Sequence, residues 1–160
     1  MSDPKQKAVM ILLSKLWYIC YAHGQYVLQC LGTTKLVQMT IEHGVHDCSG
    51  NGFATLGMLL VGFRNDWKGA VATVETGLNL QNRVKNEYTS ALTIYAAQSC
   101  VYTWTKPLTY ALQGYMDGFQ SGMRSGNILF GTWCLLTHHI ALSFILGKPL
   151  DVILARAPEV

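Results

Sequence analysis

Apolar and polar residues along this chain recur at helical rather than strand spacing. Over residues 66–83, Trp67, Ala70, Val71, Val74, Leu78 and Leu80 mostly line one side, while Lys68, Glu75, Asn79 and Gln81 fall elsewhere. Over 107–124, Leu108, Leu112, Tyr115, Met116, Phe119 and Met123 return every three or four positions, with Gln113, Asp117, Gln120 and Arg124 between them. That period puts the apolar set on one face of a 3.6-residue helix. Strand-like alternation is sustained nowhere. The pattern predicts eight helices, roughly 5–22, 25–43, 49–63, 66–83, 87–104, 107–124, 128–145 and 148–157.

The breaks between helices recur. Arg64-Asn65-Asp66-Trp67-Lys68, Trp104-Thr105-Lys106-Pro107-Leu108 and Leu146-Gly147-Lys148-Pro149-Leu150 each separate two helical stretches. Trp67 and Pro107 stand 40 positions apart, Pro107 and Pro149 stand 42 apart, and a further 42 back from Trp67 falls on Gln25, after the turn-like His23-Gly24. Proline is tolerated in the first turn of a helix, and a glycine such as Gly147 can take the left-handed conformation that ends one. Asn65 and Thr105 have the side chains of N-caps. A second set of breaks lies at Asp47 to Gly52, at Lys85-Asn86 and at Ser125-Gly126-Asn127.

Helix pairs repeating about every 40 residues predict an all-α fold of tetratricopeptide-like or HEAT-like antiparallel pairs, about four units stacked as a solenoid. The units fall roughly at 1–44, 45–85, 86–126 and 127–160 of a single domain. Gly114, Gly118 and Gly122, four apart, form a ridge on one helix face, and Gly52, Gly57 and Gly62 are placed for a similar part. Glycine costs about 1 kcal/mol per residue in a helix interior, so the ridge is expected to permit close helix–helix approach. Trp17, Trp104 and Trp133 are expected to fill the spaces between units.

Composition narrows the function. Of the 160 residues, 50% are hydrophobic and only 13% charged, against roughly 25% charged in an average domain. A surface so poor in charge is expected either to be small or to be covered by something. The net charge is +3, and the twelve Lys and Arg are scattered without a run that could track a phosphate backbone, which argues against nucleic acid as a partner. The five cysteines, Cys20, Cys30, Cys48, Cys100 and Cys134, are odd in number, irregularly spaced and without a CxxC pair. They read as buried thiols of a reducing, cytoplasmic compartment rather than as disulfides or zinc ligands. Lys5 and Lys7 before Ala8 to Leu13 resemble the start of a signal peptide, but the apolar run ends by Lys15, so the segment reads as the first helix.

One stretch supports a different reading. Ile128 to Leu146 is 19 residues without Asp, Glu, Lys or Arg, enough to span a bilayer. The alternative is therefore a small integral membrane protein with a span near 128–146. Against it stand His138-His139 in the middle of the stretch and the charges on the other helices; a helix enclosed by neighbours would also be apolar all round.

Catalytic signatures are missing: there is no phosphate-binding GxxxxGK[ST], no GxGxxG, no GxSxG and no HExxH. His43, His46 and Cys48, with Asp47, are the one cluster with metal-ligating side chains, and they carry a second alternative, a metal-binding or enzymatic domain. Gly44 and Ser49 to Gly52 place them at a helix end and loop, where a histidine serves the helix dipole. The expectation is no catalytic residue, no metal and no cofactor.

A family resemblance adds a context. Glu42-His43-Gly44, Phe53-Ala54-Thr55-Leu56-Gly57, Trp104 to Leu108, Gly114-Tyr115, Gly118 to Gly122, Ser125-Gly126-Asn127 and Gly147 to Leu150 follow in an order and spacing that resembles the helical-repeat region of large multidomain signalling proteins. In that family a serine/threonine kinase domain and an AAA-type ATPase domain precede the repeats, and sensor modules, often with a histidine kinase, follow. The resemblance covers roughly residues 40–155. It implies a tetratricopeptide-like, non-catalytic connector or scaffold within a longer protein. Its partners would be a protein or the neighbouring kinase, ATPase or sensor domains, and no catalytic residue carries over. The family's glycine–acid pair at the third break is Gly126-Asn127 here. A solenoid end without a polar cap, as the short apolar last helix would leave, favours self-association.

Overall fold

The protein is described by a computed structural model over residues 3–156. It is all-helical, with no strand among the described residues. The helices are α1 (Pro4–Ala22), α2 (Tyr26–His43), α3 (Ser49–Arg64), α4 (Trp67–Val84), α5 (Glu87–Ala97, continued through a π-turn at Gln98–Tyr102 to Thr103–Thr105), α6 (Leu108–Ser125), α7 (Ile128–Leu136, continued through a π-turn at Thr137–Ala141 to Leu142–Ile145) and α8 (Leu150–Arg156). These fall within two residues of the bounds expected from periodicity. The expected end of the last helix at 157 lies outside the described residues.

Local chemistry accounts for the stops and starts. Asp3 caps α1 by accepting from the Lys5 N–H at 2.9 Å. Gly126 and Gly147 end helices with φ of 78° and 69°, a region that costs glycine nothing. Two expected caps shift. The N-cap of α4 is Asp66, whose carboxylate accepts from the Gly69 N–H at 2.8 Å. Asn65 instead ends α3 in the left-handed conformation and accepts from the Trp67 indole N–H at 2.8 Å. Thr105 is the last residue of α5, its hydroxyl donating back to the Val101 carbonyl at 2.8 Å, and Pro107 precedes α6.

Chain neighbours pack side by side as α1–α2, α3–α4, α5–α6 and α6–α7, and α3, α5 and α7 form a continuous inner layer. Glycines set how closely helices approach. A Cβ on Gly57 would sit 2.7 Å from Val74 Cγ2 and 3.0 Å from the Ala70 carbonyl, so α3 and α4 meet nearly backbone to backbone. The ridge on α6 does the same: a Cβ on Gly118 would meet Cys134 Sγ at 2.7 Å, and one on Gly122 would meet the Gly131 Cα at 2.6 Å. Gly62 faces open space and takes no part.

The core lies between the layers in linked clusters. Ala70, Val74, Ala97, Val101 and Tyr102 join α4 to α5, and Met10, Leu36, Met39 and Cys48 join the first three helices. A third cluster is less local: Trp17 of α1 packs with Ala91, Leu92 and Phe130, and Tyr18 meets Phe130 edge-on at 5.8 Å. Helix α1 thus lies across the inner layer and reaches α5 and α7. Trp17 and Trp133 fill gaps between helices as expected, whereas Trp104 is 69% exposed.

Among the described residues one helical stretch, Ile128–Ile145, is long and apolar enough to cross a membrane, with mean hydropathy 1.6 and 33% of it buried.

Candidate functional site

Three turns line one side of the molecule. Each carries a short polar side chain just ahead of an inner helix: Asp47 before α3, Asn86 before α5, Asn127 before α7. Such side chains hydrogen-bond readily to nearby backbone, which suits them to helix starts. Here they also tie one turn to the next. The Asn86 side-chain amide donates to Asp47 Oδ2 at 2.6 Å, and that of Asn127 donates to the Tyr88 carbonyl at 2.7 Å. Behind them the buried Gln81 donates to the Asn86 carbonyl at 2.7 Å and accepts from the hydroxyls of Thr89 and Thr93.

Between this row of turns and α1 lies a cleft of about 540 Å³, within the range of small-ligand or peptide sites. Ile11, Ser14, Lys15 and Tyr18 of α1 form one wall. His46, Asp47 and Cys48 close one end, and Asn86, Tyr88, Thr89 and Leu92 form the floor. Residues 126–130, from Gly126 to Phe130, close the other end. Ser14 anchors the wall, accepting from the Asn51 side-chain amide of α3 at 3.0 Å.

The electrostatics of the cleft are quiet. Burial lowers the pKa of His46, opposed by the negative charge of Asp47, so the imidazole is neutral at neutral pH. Its Nδ1 accepts from the Cys48 N–H at 3.4 Å. Burial pushes the Cys48 thiol up to about 11, against a hydrogen bond with Ser14. Cys100 is raised to about 12 by burial. Nucleophilic thiols need the opposite environment. At a pH of about 8, only about one thousandth of Cys48 is thiolate. A disulfide reagent should therefore modify the half-buried Cys30 before the buried Cys48 in the folded chain, with Cys48 reacting only on unfolding. Labelling of Cys48 as fast as Cys30, followed by mass spectrometry, would contradict this account.

The candidate metal cluster is only partly brought together. His46 and Cys48 are neighbours at the end of the cleft, but His43 is the last residue of α2, exposed and 3.8 Å from Glu42. Among the described residues, no group of three or more His, Cys, Asp and Glu is placed to hold a metal ion. His138 and His139 stand ring to ring at 5.0 Å in the π-turn of α7, away from the cleft. Sequence reasoning missed the α1 wall and the Asn86 and Asn127 rungs. The rungs carried a readable signal, since Asp47, Asn86 and Asn127 are spaced 39 and 41 apart; the wall carried none.

No protein family, curated protein or solved structure matches this chain.

Proposed function

We propose that the chain is a non-catalytic helical-repeat scaffold whose cleft takes an extended segment of a protein partner or of a neighbouring domain. The observation that carries the reading is the cleft itself. It runs along three successive polar turns, has aromatic and aliphatic walls in Tyr18, Leu92 and Phe130, and holds His46 and Cys48 as neutral rather than activated groups. Peptide grooves combine these features: side-chain amides and hydroxyls to read a backbone, apolar walls to take side chains. The repeat at about 40 residues, read as four tetratricopeptide-like or HEAT-like units, and the resemblance to kinase–ATPase–sensor signalling proteins set the context, a connector in a reducing compartment.

The reading is tested by selecting peptides from a displayed library on the purified 160-residue chain. Ile11 and Leu129 line the cleft and are each 42% exposed, so Asp at either position should leave the fold intact. Ile11→Asp or Leu129→Asp is expected to weaken the selected peptides about tenfold or more, the loss of roughly 1.4 kcal/mol. Peptides that bind both variants as well as the parent would remove the cleft from the function.

The second reading, a membrane protein, is favoured by the hydropathy and low burial of Ile128–Ile145. A chain that alkaline carbonate cannot extract from membranes, and that folds only in detergent, would establish it and displace the scaffold.

A further inference from the structure

Among the side chains lining the cleft, Lys15 supplies the only ammonium and Asp47 the only carboxylate. Asp47 is half-buried and occupied, its Oδ2 accepting from the Asn86 side-chain amide at 2.6 Å. Lys15 is exposed, and among the described residues no acidic side chain lies within ion-pair distance of it. Its own helix offers none, since α1 carries Lys5, Lys7 and Lys15 and no Asp or Glu. Lys7, Ile11 and Lys15 stand four apart on one face of α1, and the positive charge of Lys7 is felt by His46 at the end of the cleft. Around Lys15 the wall is apolar, with Ile11 and Tyr18 about one turn away on either side.

We propose that the cleft selects a partner segment carrying one acidic side chain among apolar residues, the carboxylate pairing with the Lys15 ammonium. This deepens the cleft-binding reading above and rests on it. The case is charge complementarity. A cation facing a partly enclosed, largely apolar cleft attracts an anion more strongly than one on open surface, because less water screens the pair. A purely apolar segment would cover Lys15 and strip its hydration without giving it a partner. A basic segment would meet repulsion from Lys15, and the one carboxylate on offer already holds Asn86. An acidic side chain is favoured over a chain-terminal carboxylate because Lys15 stands between Ile11 and Tyr18 along the α1 wall, where a bound chain passes rather than ends. The expected ligand is a short extended segment with an Asp or Glu flanked by aliphatic or aromatic residues.

The peptides selected on the parent chain are the probe, and their consensus is expected to hold one Asp or Glu. Exchanging that acid for its amide should weaken binding to the parent about fivefold, near the upper end for a partly solvated ion pair. The same exchange should cost nothing on Lys15→Gln. Lys35→Gln removes an equal charge from an exposed site on α2 outside the cleft, and should bind like the parent. Selection repeated on Lys15→Glu should put Lys or Arg where the acid stood. Both lysines are exposed, and circular dichroism checks that each variant keeps its helices. Three results overturn the inference and leave the cleft as the binding site: a consensus without an acid; an acid whose exchange costs as much on Lys15→Gln as on the parent; or binding lost when the peptide's C-terminus is amidated, which would make the chain end the anion. Peptides indifferent to Ile11→Asp and Leu129→Asp remove the cleft reading and the inference with it.

Discussion

Gly77→Val is expected to lower the unfolding free energy by about 3 kcal/mol, the upper end of the range for overpacked cores. Gly77 of α4 is buried where α4 packs on α3. A Cβ there would sit 2.7 Å from the Gly50 carbonyl oxygen and 2.9 Å from the Ala54 nitrogen. The contact is reciprocal, since a Cβ on Gly50 would lie 2.8 Å from the Gly77 carbonyl. Both obstacles are backbone, so no rotamer change relieves them, and the helices must separate along a seam that also includes Gly57 against Val74. Valine adds a second difficulty, its branched side chain being stiff in a helix. Gly62→Ala is the matched control. That glycine is helical and faces open space, so alanine should stabilise by up to about 1 kcal/mol. Urea unfolding followed by circular dichroism measures both. A Gly77→Val protein within about 0.5 kcal/mol of the parent, the scatter of ordinary surface changes, would mean that the α3–α4 crossing is not this close.

Trp17→Ala should cost about as much, roughly 3–5 kcal/mol by the usual range for truncating a large buried aromatic, but its effect should be local. Trp17 is 3% exposed, packs on Ala91, Leu92 and Phe130, and lies parallel to Tyr21 at 5.9 Å. It holds α1 against α5 and α7 together with the Tyr18–Phe130 contact, while the Ser14–Asn51 hydrogen bond ties α1 to α3. Hydrogen exchange in Trp17→Ala is therefore expected to quicken over residues 4–43 while 67–125 keep their protection, because the α3–α4 and α5–α6 seams do not involve this side chain. Peptide binding at the cleft should fall with it, since α1 is one of its walls. Uniform loss of protection along the chain would refute the view that α1 is a separately held element.

The exposed pair Arg124–Glu87 illustrates a small effect beside these. Its guanidinium reaches the carboxylate at 3.0 Å across two helices, yet both side chains are solvated, and such pairs contribute about 1 kcal/mol or less.

Much of the helical organisation was legible in the residues. Each helix carries its own 3.6-residue pattern, and each boundary has its own chemistry in Gly126, Gly147, Asn86 or Pro107; these are local interactions that short segments decide for themselves. Caps were read one residue off at Asp66 because Asn65 and Asp66 are equally good capping side chains, and the choice depends on which of them takes the left-handed conformation. Trp104 was misjudged for a related reason: its place after the π-turn at Gln98–Tyr102 rotates it outward, and a π-turn has no clear sequence mark. Half of the site was within reach, because Asp47, Asn86 and Asn127 stand 39 and 41 positions apart, each just ahead of a helix.

The sequence by itself determined that the chain is helical, where the helices begin and end, and that glycines on α6 would press against a neighbour. Only the tertiary structure decided that α1 lies across α3, α5 and α7, and that the cleft opens between it and the three turns. The physical reason is range. The backbone hydrogen bonds within a helix join residues about four apart along the chain, whereas Trp17 meeting Phe130 depends on the summed crossing angles and side-chain volumes of every helix between them.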